Sequence, residues 1–372
     1  MYRTGIIGCG KVAHLHAKAL QHLPTSDFAA VFSRTLDKAE SFASEYGVKA
    51  YDNIREMVEK EKLDLVMVCT PHPNHLDPTI EAMAAGVHVI VEKPLASTLE
   101  DCDAMIAAAK KYNKKLGTIS QRRFYEPVIR IKKAIEEGKI GRPILGTINM
   151  LSWRDEKYYK SDPWRGSWEH EGGGVMVNQA PHQLDLLIWL MGDIDEVYGT
   201  WANMTHPYIE VEDTALAIVK FKNGSLGTIF LSNCQKPGIH TKVQVHGSNG
   251  ASIGVTPEAG AMFIAGVSGI AGPPVNDLWT VPGEEHLLEE WTKEDTAIFN
   301  SIDPTVHYIE KQIEEFLDAL TAGREPLING EEGRKTVELF TAIYRSTRDN
   351  KPVKFPLLPE KDREDMDGRL KG

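Results

Sequence analysis

The first third of the chain alternates short apolar runs with longer amphipathic segments. Apolar runs of strand length occupy residues 4–7, 28–32, 65–69, 87–91 and 116–119. Between them, apolar residues recur at helical spacing in residues 12–22, 37–46, 74–85 and 99–111. This alternation predicts a parallel sheet covered by helices on both faces, and such sheets bind ligands at the carboxyl ends of their strands.

The pattern changes after about residue 120. Residues 144–149, 196–204, 214–221, 225–233 and 242–246 alternate apolar and polar positions, and Asn223-Gly224 is a typical hairpin turn. They predict a large, open, mainly antiparallel sheet whose uncovered face serves self-association, as a homodimer or homotetramer. A helix is predicted over 175–191, and the Gly-, Pro- and Ala-rich residues 254–283 predict an irregular excursion. We therefore expect an α/β fold with domains at 1–122 and 123–358 and a charged tail at 359–372.

Composition narrows the class of protein. The 372 residues are 42% hydrophobic and 26% charged, which is ordinary for a soluble globular chain of two domains. The net charge of -11 is spread along the chain without a basic stripe, so no nucleic-acid partner is expected. No apolar stretch has membrane-spanning length and no signal peptide is evident, which predicts a cytoplasmic protein without a membrane partner. The widely spaced cysteines predict reduced thiols.

The first strand ends in a G-x-G-x-x-A turn that opens a helix. Gly8 permits the tight turn, Gly10 allows a pyrophosphate to approach the backbone, and Ala13 permits close packing of helix on strand. In this position the pattern predicts a Rossmann domain that binds a dinucleotide. After the second strand stand Ser33, Arg34 and Thr35, which suit a 2′-phosphate and favour NADP over NAD. The alternative is that Arg34 is solvated and that Asp37 binds the ribose of NAD.

Two further strand ends carry polar groups. The strand predicted at 65–69 leads into a loop with His72 and His75. Their spacing is compatible with a metal site, but no third ligand stands nearby. We expect no metal, and polar contacts around a nicotinamide instead. The next strand ends in Glu92-Lys93-Pro94. Position alone leaves two interpretations of Lys93 open, a surface Lys–Glu pair or a proton donor and acceptor beside the nicotinamide.

The predicted helix 175–191 places Asn178, His182 and Asp185 on one face, typical of an active-site wall. Pro181 either kinks this helix or delays its start. The segment before it, from Trp153 to Glu171, is rich in aromatic and arginine side chains. That composition suits stacking on a sugar, and it equally suits an aromatic loop packed for stability.

Together these motifs resemble the glucose–fructose oxidoreductase, inositol dehydrogenase and rhizopine-catabolism (Gfo/Idh/MocA) family over nearly the whole chain. The resemblance rests on Gly8-Cys9-Gly10-x-x-Ala13, Thr70-Pro71-x-x-Asn74-His75, Ala85-Gly86-x-His88-x-x-x-Glu92-Lys93-Pro94, Gln121-x-Arg123-Phe124, Gly172-Gly173-Gly174-x-x-x-Asn178-x-x-x-His182-x-x-Asp185 and residues 330–353.

The resemblance implies an NAD(P)-dependent oxidoreductase that moves a hydride between nicotinamide and a secondary hydroxyl or ketone of a sugar, glycoside or cyclitol. It implies Lys93 and His182 as the catalytic pair. The substrate-binding residues expected beside them are Asn178, Asp185, Gln179, Trp153, Arg154, Tyr158 and Arg123. The expected cofactor-binding residues are Gly8, Gly10, Lys11, Val12, Ser33, Arg34, Thr70, Pro71, His72, Asn74, His75, Glu92, Lys93, Gln121, Trp164 and Arg165.

One departure and two rival functions accompany the resemblance. The family commonly has Asp where this chain has Asn178, and an amide cannot act as a general base. The first rival is cleavage of a glycoside through a tightly bound NAD and a 3-keto intermediate. The second is a non-catalytic dinucleotide-binding regulator, against which the presence of both Lys93 and His182 argues.

Overall fold

The structure, a computed structural model, describes residues 1–257 and 272–360 together with two short strands between these ranges. Its helices are α1 (Ala13–His22), α2 (Leu36–Tyr46), α3 (Ile54–Glu61), α4 (Leu76–Ala85), α5 (Leu99–Tyr112), α6 (Glu126–Glu136), α7 (Glu156–Lys160), α8 (Pro181–Met191), α9 (Leu287–Ser301), α10 (His307–Ala322) and α11 (Gly330–Asp349). The strands of the first half are β1 (Tyr2–Ile7), β2 (Ser26–Phe32), β3 (Lys49–Tyr51), β4 (Leu65–Val68), β5 (His88–Val91), β6 (Leu116–Thr118) and β7 (Pro143–Leu151). The remaining strands are β8 (Ile194–Ala202), β9 (Thr214–Phe221), β10 (Leu226–Ser232), β11 (His240–Gly247), β12 (Ser252–Thr256), β13 (Ala261–Ile264), β14 (Val267–Ile270), β15 (Val275–Trp279) and β16 (Val353–Lys354).

The chain forms two compact units, of which the first comprises residues 1–121 and 305–337. Its sheet is parallel, with strand order β3-β2-β1-β4-β5-β6. The order reverses between β1 and β4, and the carboxyl ends at such a reversal form the crevice in which open α/β sheets bind ligands. The Rossmann architecture predicted from the sequence is confirmed. The short β3 and the helix α3 were not predicted. In the case of β3, three residues are too few to show an alternation of apolar and polar positions.

Residues 305–337 pack with the first unit, whereas the sequence placed them in the second domain. Ile309, Ile313 and Phe316 of α10 lie in one apolar cluster with the core of the parallel sheet. Gln312 also joins α10 to the end of β6: its Nε2 donates to the Thr118 carbonyl at 2.7 Å, and its Oε1 accepts the Ser120 N–H at 2.8 Å. Such long-range burial leaves no mark in the local sequence pattern.

The second unit comprises residues 122–304 and 338–372. Its sheet has the order β15-β12-β11-β7-β10-β9-β8-β16, in which β7 and β10 pair in parallel and the other neighbours are antiparallel. The mainly antiparallel sheet and the hairpin at Asn223-Gly224 are therefore confirmed. Helices α8 and α11 cover one face, since a Cβ on Gly146 would collide with Met191 and one on Gly199 would approach Ile343.

One expectation for this unit is wrong. Residues 254–283 contain strands rather than an irregular excursion: β12 and β15 extend the large sheet, and β13 pairs with β14. Pairing with neighbouring strands overrides the glycines of this segment. In the predicted tail, Glu360 is held by both terminal nitrogens of Arg348, at 2.6 and 3.0 Å; the rest of the tail lies outside the described residues. No helix in the described ranges combines the length and apolarity needed to cross a membrane.

Candidate active site

The glycine-rich turn after β1 lies against the end of β4. Gly8 has a φ of +103°, and a Cβ on it would lie 3.0 Å from the Cys69 carbonyl oxygen, so only glycine fits. A Cβ on Gly10 would have no neighbour closer than 4.0 Å, which leaves its backbone open to a ligand. The N-terminus of α1, at Ala13, follows directly. The turn therefore fits a pyrophosphate group. The other two residues predicted for this turn, Lys11 and Val12, lie between Gly10 and the start of α1.

The end of β2 presents an exposed arginine. Ser33 is half-buried, and its N–H donates to the Tyr51 carbonyl at 3.1 Å. Arg34 follows on the surface, and within the described part of the chain its guanidinium makes no hydrogen bond or ion pair. An arginine so placed can pair with a phosphate group.

The loop after β4 is held by a buried histidine. The Thr70 hydroxyl donates to the Asn74 carbonyl at 2.8 Å. The fully buried His75 places Nε2 2.8 Å from the Thr70 carbonyl oxygen and Nδ1 3.1 Å from the carbonyl oxygens of Pro94 and Leu95. Burial lowers the pKa of His75, outweighing these backbone contacts. His75 thus joins the loops after β4 and β5, and both of its ring nitrogens face backbone carbonyl oxygens.

The backbone of Lys93, at the end of β5, is held by the side chain of Glu92. The buried Glu92 carboxylate accepts the Lys93 backbone N–H at 3.0 Å and lies 2.6 Å from His16 Nε2. Burial raises the pKa of Glu92, but the contacts with His16 and Lys93 outweigh burial and lower it overall. An anionic Glu92 therefore holds the backbone of the half-buried Lys93 at the carboxyl edge of the sheet. The other residues predicted for this edge lie on its loops: Pro71, His72, Asn74 and, after β6, Gln121.

His16 was missed by the sequence analysis. It is fully buried on the face of α1 that carries Ala13, Ala17 and Leu20. A histidine within an otherwise apolar helix face is a signal that could have drawn attention to it. Its contact with Glu92 could not be predicted, because the two residues are 76 positions apart in the chain.

In the second unit, the predicted helix begins late and in two parts. A π-helical turn, Val175–Gln179, precedes α8, which starts at Pro181 because proline needs no N–H partner there. The buried Glu212 carboxylate accepts the N–H groups of Gly174 at 2.9 Å and Met176 at 3.0 Å and so braces the entry to this turn. The sequence predicted that Asn178 and His182 share one face of a straight helix. They do not, because the π turn changes their spacing.

Asp185 and Arg123 bind one another. Arg123 donates from Nε and Nη2 to the two carboxylate oxygens of Asp185 at 2.9 and 2.6 Å, and both side chains are buried. A bidentate pair of this kind fixes the orientation of α8. The sequence predicts both residues for the substrate, and the structure shows them as an ion pair with each other. His182 lies one turn earlier on α8 and is buried.

Tyr158 is the centre of the predicted aromatic segment. Its hydroxyl oxygen accepts hydrogen bonds from Arg165 Nη1 at 2.6 Å, Gln179 Nε2 at 2.7 Å and Asn178 Nδ2 at 3.1 Å. Burial raises the pKa of Tyr158 to about 12 despite the nearby Arg165. Four of the residues predicted to bind the substrate or the cofactor are therefore brought together here.

Two arginines stack on this segment. The Arg165 guanidinium lies 4.3 Å from the centre of the Tyr158 ring and 4.4 Å from that of Trp164. Buried Arg154 lies 5.3 Å from the Tyr158 ring and donates to the Trp153 carbonyl at 2.8 Å. These contacts make the segment a packed aromatic wall, with Asn178 and Gln179 only half-buried in front of it.

Glu171 is a second residue that the sequence analysis did not assign. Its side chain is 1% exposed, and its carboxylate accepts the Gly166 N–H at 2.5 Å and an N–H of the Asn178 amide. Burial raises the pKa of Glu171 to about 7 against the lowering effect of these hydrogen bonds and of Arg165. The amide at position 178 is thus backed by a carboxyl group that titrates near neutrality.

A second group of titratable side chains lies beside the aromatic segment, where the ring centres of His206 and Tyr159 are 5.4 Å apart. Buried His206 is 2.7 Å from Asp213 through Nδ1 and 2.8 Å from the Arg154 carbonyl oxygen through Nε2, and Cys234 lies close by. Burial lowers the pKa of His206, but the bond to Asp213 and its other contacts outweigh burial and raise it to about 10. An imidazolium with both N–H groups engaged makes this an ion pair, although the three residues have metal-ligand character.

Comparison with known proteins identifies the family. The family model described as "Oxidoreductase family, NAD-binding Rossmann fold" matches residues 2–119, and the GFO/IDH/MocA C-terminal domain matches residues 128–253. Myo-inositol 2-dehydrogenase of Thermotoga maritima is 26% identical over 358 residues, 95% of this chain and 98% of the relative. 1,5-anhydro-D-fructose reductase of Ensifer adhaerens is 29% identical over 256 residues, 68% of this chain and 76% of the relative.

Solved structures agree with this result. The WlbA dehydrogenase of Bordetella pertussis, in complex with NADH and UDP-GlcNAcA, is 27% identical and superposes with a TM-score of 0.83 over 96% of this chain and 98% of its own. The family, the fold class and the enzyme class expected from the sequence are all confirmed. The chain belongs to the GFO/IDH/MocA family and is an NAD-binding oxidoreductase with a Rossmann domain.

Proposed function

We propose that the protein oxidises a secondary hydroxyl of a carbohydrate or cyclitol, or reduces the corresponding ketone. The placement of Lys93 carries this proposal. Its backbone is fixed by Glu92 and its loop by His75, at the sheet edge that also holds the open turn of Gly10. A nicotinamide dinucleotide bound at that edge supplies the acceptor or donor of the hydride. The relatives act on polyols and sugars, which supports the choice of substrate class.

In this proposal the protein's own groups handle the proton and orient the substrate. His182 takes the hydroxyl proton, and the Lys93 ammonium stabilises the alkoxide. In the direction of reduction the same two groups return a proton to the carbonyl oxygen. Asn178 and Gln179, half-buried before the aromatic wall, hold further hydroxyls, and the faces of Trp153 and Trp164 suit the C–H groups of a sugar.

The direct test is nicotinamide reduction by the purified protein with a panel of cyclitols, free sugars and glycosides. Lys93→Met is expected to lower turnover by at least about a hundredfold while nucleotide binding is retained. Lys110→Met, the same change at an exposed position of α5, is the control. Unchanged turnover in Lys93→Met, or tightly bound nucleotide without net reduction in the unmodified protein, would contradict the proposal.

We propose NADP as the preferred cofactor, on the strength of Arg34. Its exposed guanidinium follows β2, beside the hydroxyl groups of Ser33 and Thr35, and a charge-assisted bond to phosphate contributes about 1.5–3 kcal/mol. Arg34→Ala should therefore raise the KM for NADP by about 10- to 100-fold and leave that for NAD nearly unchanged. An equal effect on both cofactors would assign the ribose to Asp37 instead.

We propose that the protein associates with itself through the outer face of the large sheet. This face exposes apolar side chains on adjacent strands: Phe230 of β10 pairs with Leu216 of β9, and Ile218 of β9 pairs with Tyr198 of β8. A contiguous apolar patch of this kind is typical of an interface. Ile218→Lys should reduce the mass measured by light scattering, and a monomeric unmodified protein would contradict the proposal.

A further inference from the structure

Arg154 is a buried cation for which the described residues provide no anionic partner. The residue is 6% exposed, and no carboxylate in the described ranges forms an ion pair with its guanidinium. Other buried arginines of the second unit do face a carboxylate: Arg123 faces Asp185, Arg165 faces Asp162 and Arg345 faces Glu360. A buried charge without a partner is costly, because the interior solvates it poorly. Its presence therefore indicates a site that receives an anion.

The unbound edge of Arg154 is the one with which an arginine binds a carboxylate. Nη1 donates to the Trp153 carbonyl at 2.8 Å. Nε is buried without a hydrogen-bond partner, and within the described part of the chain Nη2 forms no hydrogen bond either. Arg123 binds Asp185 with these same two nitrogens, Nε and Nη2, at 2.9 and 2.6 Å. The two parallel N–H groups of this edge match the two oxygens of a carboxylate.

Arg154 belongs to the aromatic wall that carries the two half-buried amides, Asn178 and Gln179. Its guanidinium lies 5.3 Å from the centre of the Tyr158 ring, and the Tyr158 hydroxyl accepts from both amides. Its backbone N–H donates to the Asn233 carbonyl at 3.2 Å, and Asn233 Nδ2 donates to Gln179 at 2.9 Å. Single residues, Tyr158 and Asn233, thus connect Arg154 to the amides that we propose as ligands of the substrate hydroxyls.

The charge on Arg154 matches a carboxylate better than a phosphate. Other charged groups of this region are already engaged: His206 with Asp213, Arg165 with Asp162, and Glu171 with Gly166 and Asn178. One uncompensated guanidinium balances one negative charge, which is the charge of a carboxylate. A phosphate group carries about 1.5 to 2 negative charges at pH 7 and would remain partly unpaired. The local charge balance thus favours a carboxylate.

We propose that the substrate is a sugar acid and that Arg154 binds its carboxylate through Nε and Nη2. Asn178 and Gln179 bind hydroxyl groups of the same molecule, and the face of Trp153 suits its C–H groups. Arg154 contributes binding and specificity and moves no proton. The inference rests on the proposed function for the oxidation of this sugar acid, whereas binding of the carboxylate does not depend on it.

The first experiment distinguishes a ligand-binding arginine from a structural one without any ligand. Arg154→Gln removes a charge that has no partner, so the midpoint of unfolding in urea should stay the same or rise. Arg123→Gln leaves the buried Asp185 unpaired and should lower the midpoint. A fall in Arg154→Gln equal to that in Arg123→Gln would show that Arg154 stabilises the fold and would overturn the inference.

The second experiment measures dissociation constants by calorimetry, with reduced nicotinamide dinucleotide present so that no probe is oxidised. The probes are D-glucuronate, D-galacturonate and D-mannuronate, each compared with its neutral hexose and with the phosphate ester of that hexose. Charge-assisted hydrogen bonds should make at least one acid bind about 10- to 100-fold more tightly than its hexose. Arg154→Gln should abolish this preference, Arg154→Lys should restore part of it, and Lys157→Gln, at an exposed position of α7, should leave it unchanged.

The inference is overturned if the unmodified protein prefers no acid, if the preference persists in Arg154→Gln, or if a hexose phosphate binds more tightly than every acid. If an acid binds through Arg154 but is not oxidised when the oxidised cofactor replaces the reduced one, the proposed function fails and the carboxylate site stands. If neutral sugars are oxidised and no acid is preferred, the proposed function stands and the sugar acid is excluded.

Discussion

Two buried carboxyl groups of the second unit, Asp213 and Glu171, have opposite titration behaviour. Both side chains are at most 1% exposed, and both accept backbone N–H groups. Burial raises the pKa of each, but the imidazolium of His206 and the neighbouring N–H groups hold the pKa of Asp213 well below its usual range. The pKa of Glu171 stays raised, at about 7.

The difference comes from where the cation is placed. His206 donates directly to Asp213 at 2.7 Å. Arg165 donates to Asp162 at 3.2 Å and to Tyr158 at 2.6 Å. Its positive charge lowers the pKa of Glu171 by electrostatic attraction, and burial outweighs this effect. Depth of burial thus does not decide the charge of a carboxyl group, whereas a hydrogen bond from a cation does.

The largest expected effect is on the Asp213 side of this comparison. Asp213→Asn leaves the buried His206 without its anionic partner and should cost about 3–5 kcal/mol of unfolding free energy. Denaturant unfolding at pH 6 measures it, with Asp37→Asn at an exposed position as the control. A loss equal to that of the control would mean that the ion pair contributes nothing.

The next effect concerns the pH dependence of stability. The folded-state pKa of Glu171 lies above its ordinary 4.5, so its contribution is full below pH 4.5 and is lost as the pH rises to about 7, a change of about 3 kcal/mol. In Glu171→Gln this part of the decline should vanish. The decline due to Glu212, whose pKa burial also raises to about 7, lies in the same window and should remain. The decline due to His206, whose pKa is raised from 6.5 to about 10, lies between those values and should remain too. Parallel curves for the two proteins below pH 7 would contradict the assignment.

A smaller effect should follow from removing the distant cation. Arg165→Gln takes away the positive charge that favours the Glu171 carboxylate, so the midpoint of the Glu171 titration, measured as the decline of unfolding free energy with pH, should move to higher pH. Lys160→Gln, in the same segment but exposed, is the matched control. A midpoint that moves equally in both variants would show a general effect of net charge.

The smallest effect is expected for an ion pair at the surface. Arg324 Nη1 lies 2.6 Å from Glu315 Oε1, as close as any contact of Asp213, but half of the arginine side chain is in solvent. Replacing the pair by Glu315→Gln should change the unfolding free energy by less than about 1 kcal/mol. A larger loss would place the importance of an ion pair in its distance rather than in its burial.

The features that could be predicted from the sequence are those set by the backbone. The turn at Gly8 follows from one steric requirement, and the strand ends that carry Thr70 and Lys93 follow from hydrophobic pattern and chain order. The side-chain partners could not be predicted in this way. Asp185 was expected to face the substrate, but its partner Arg123 is 62 residues away in the chain.

Glu171 and His16 are residues of the site that the sequence did not predict. Glu171 stands in the polar stretch Trp168-Glu169-His170-Glu171, which has the composition of a surface loop. Only folding removes it from water and brings the amide of Asn178 to it. The π turn before Pro181 could not be predicted either. Glu212 accepts N–H groups at its start, and Glu212 is more than 30 residues away in the chain.

The return of α10 to the parallel sheet makes the first unit discontinuous. Its apolar cluster is built from residues before position 121 and after position 305, so most of the second unit is an insertion between two parts of one core. During synthesis this core cannot close until α10, which ends at Ala322, has been made. A fragment that ends at residue 121 would expose the surface that Ile313 and Phe316 cover, whereas residues 1–121 joined directly to 305–337 contain every segment of that core.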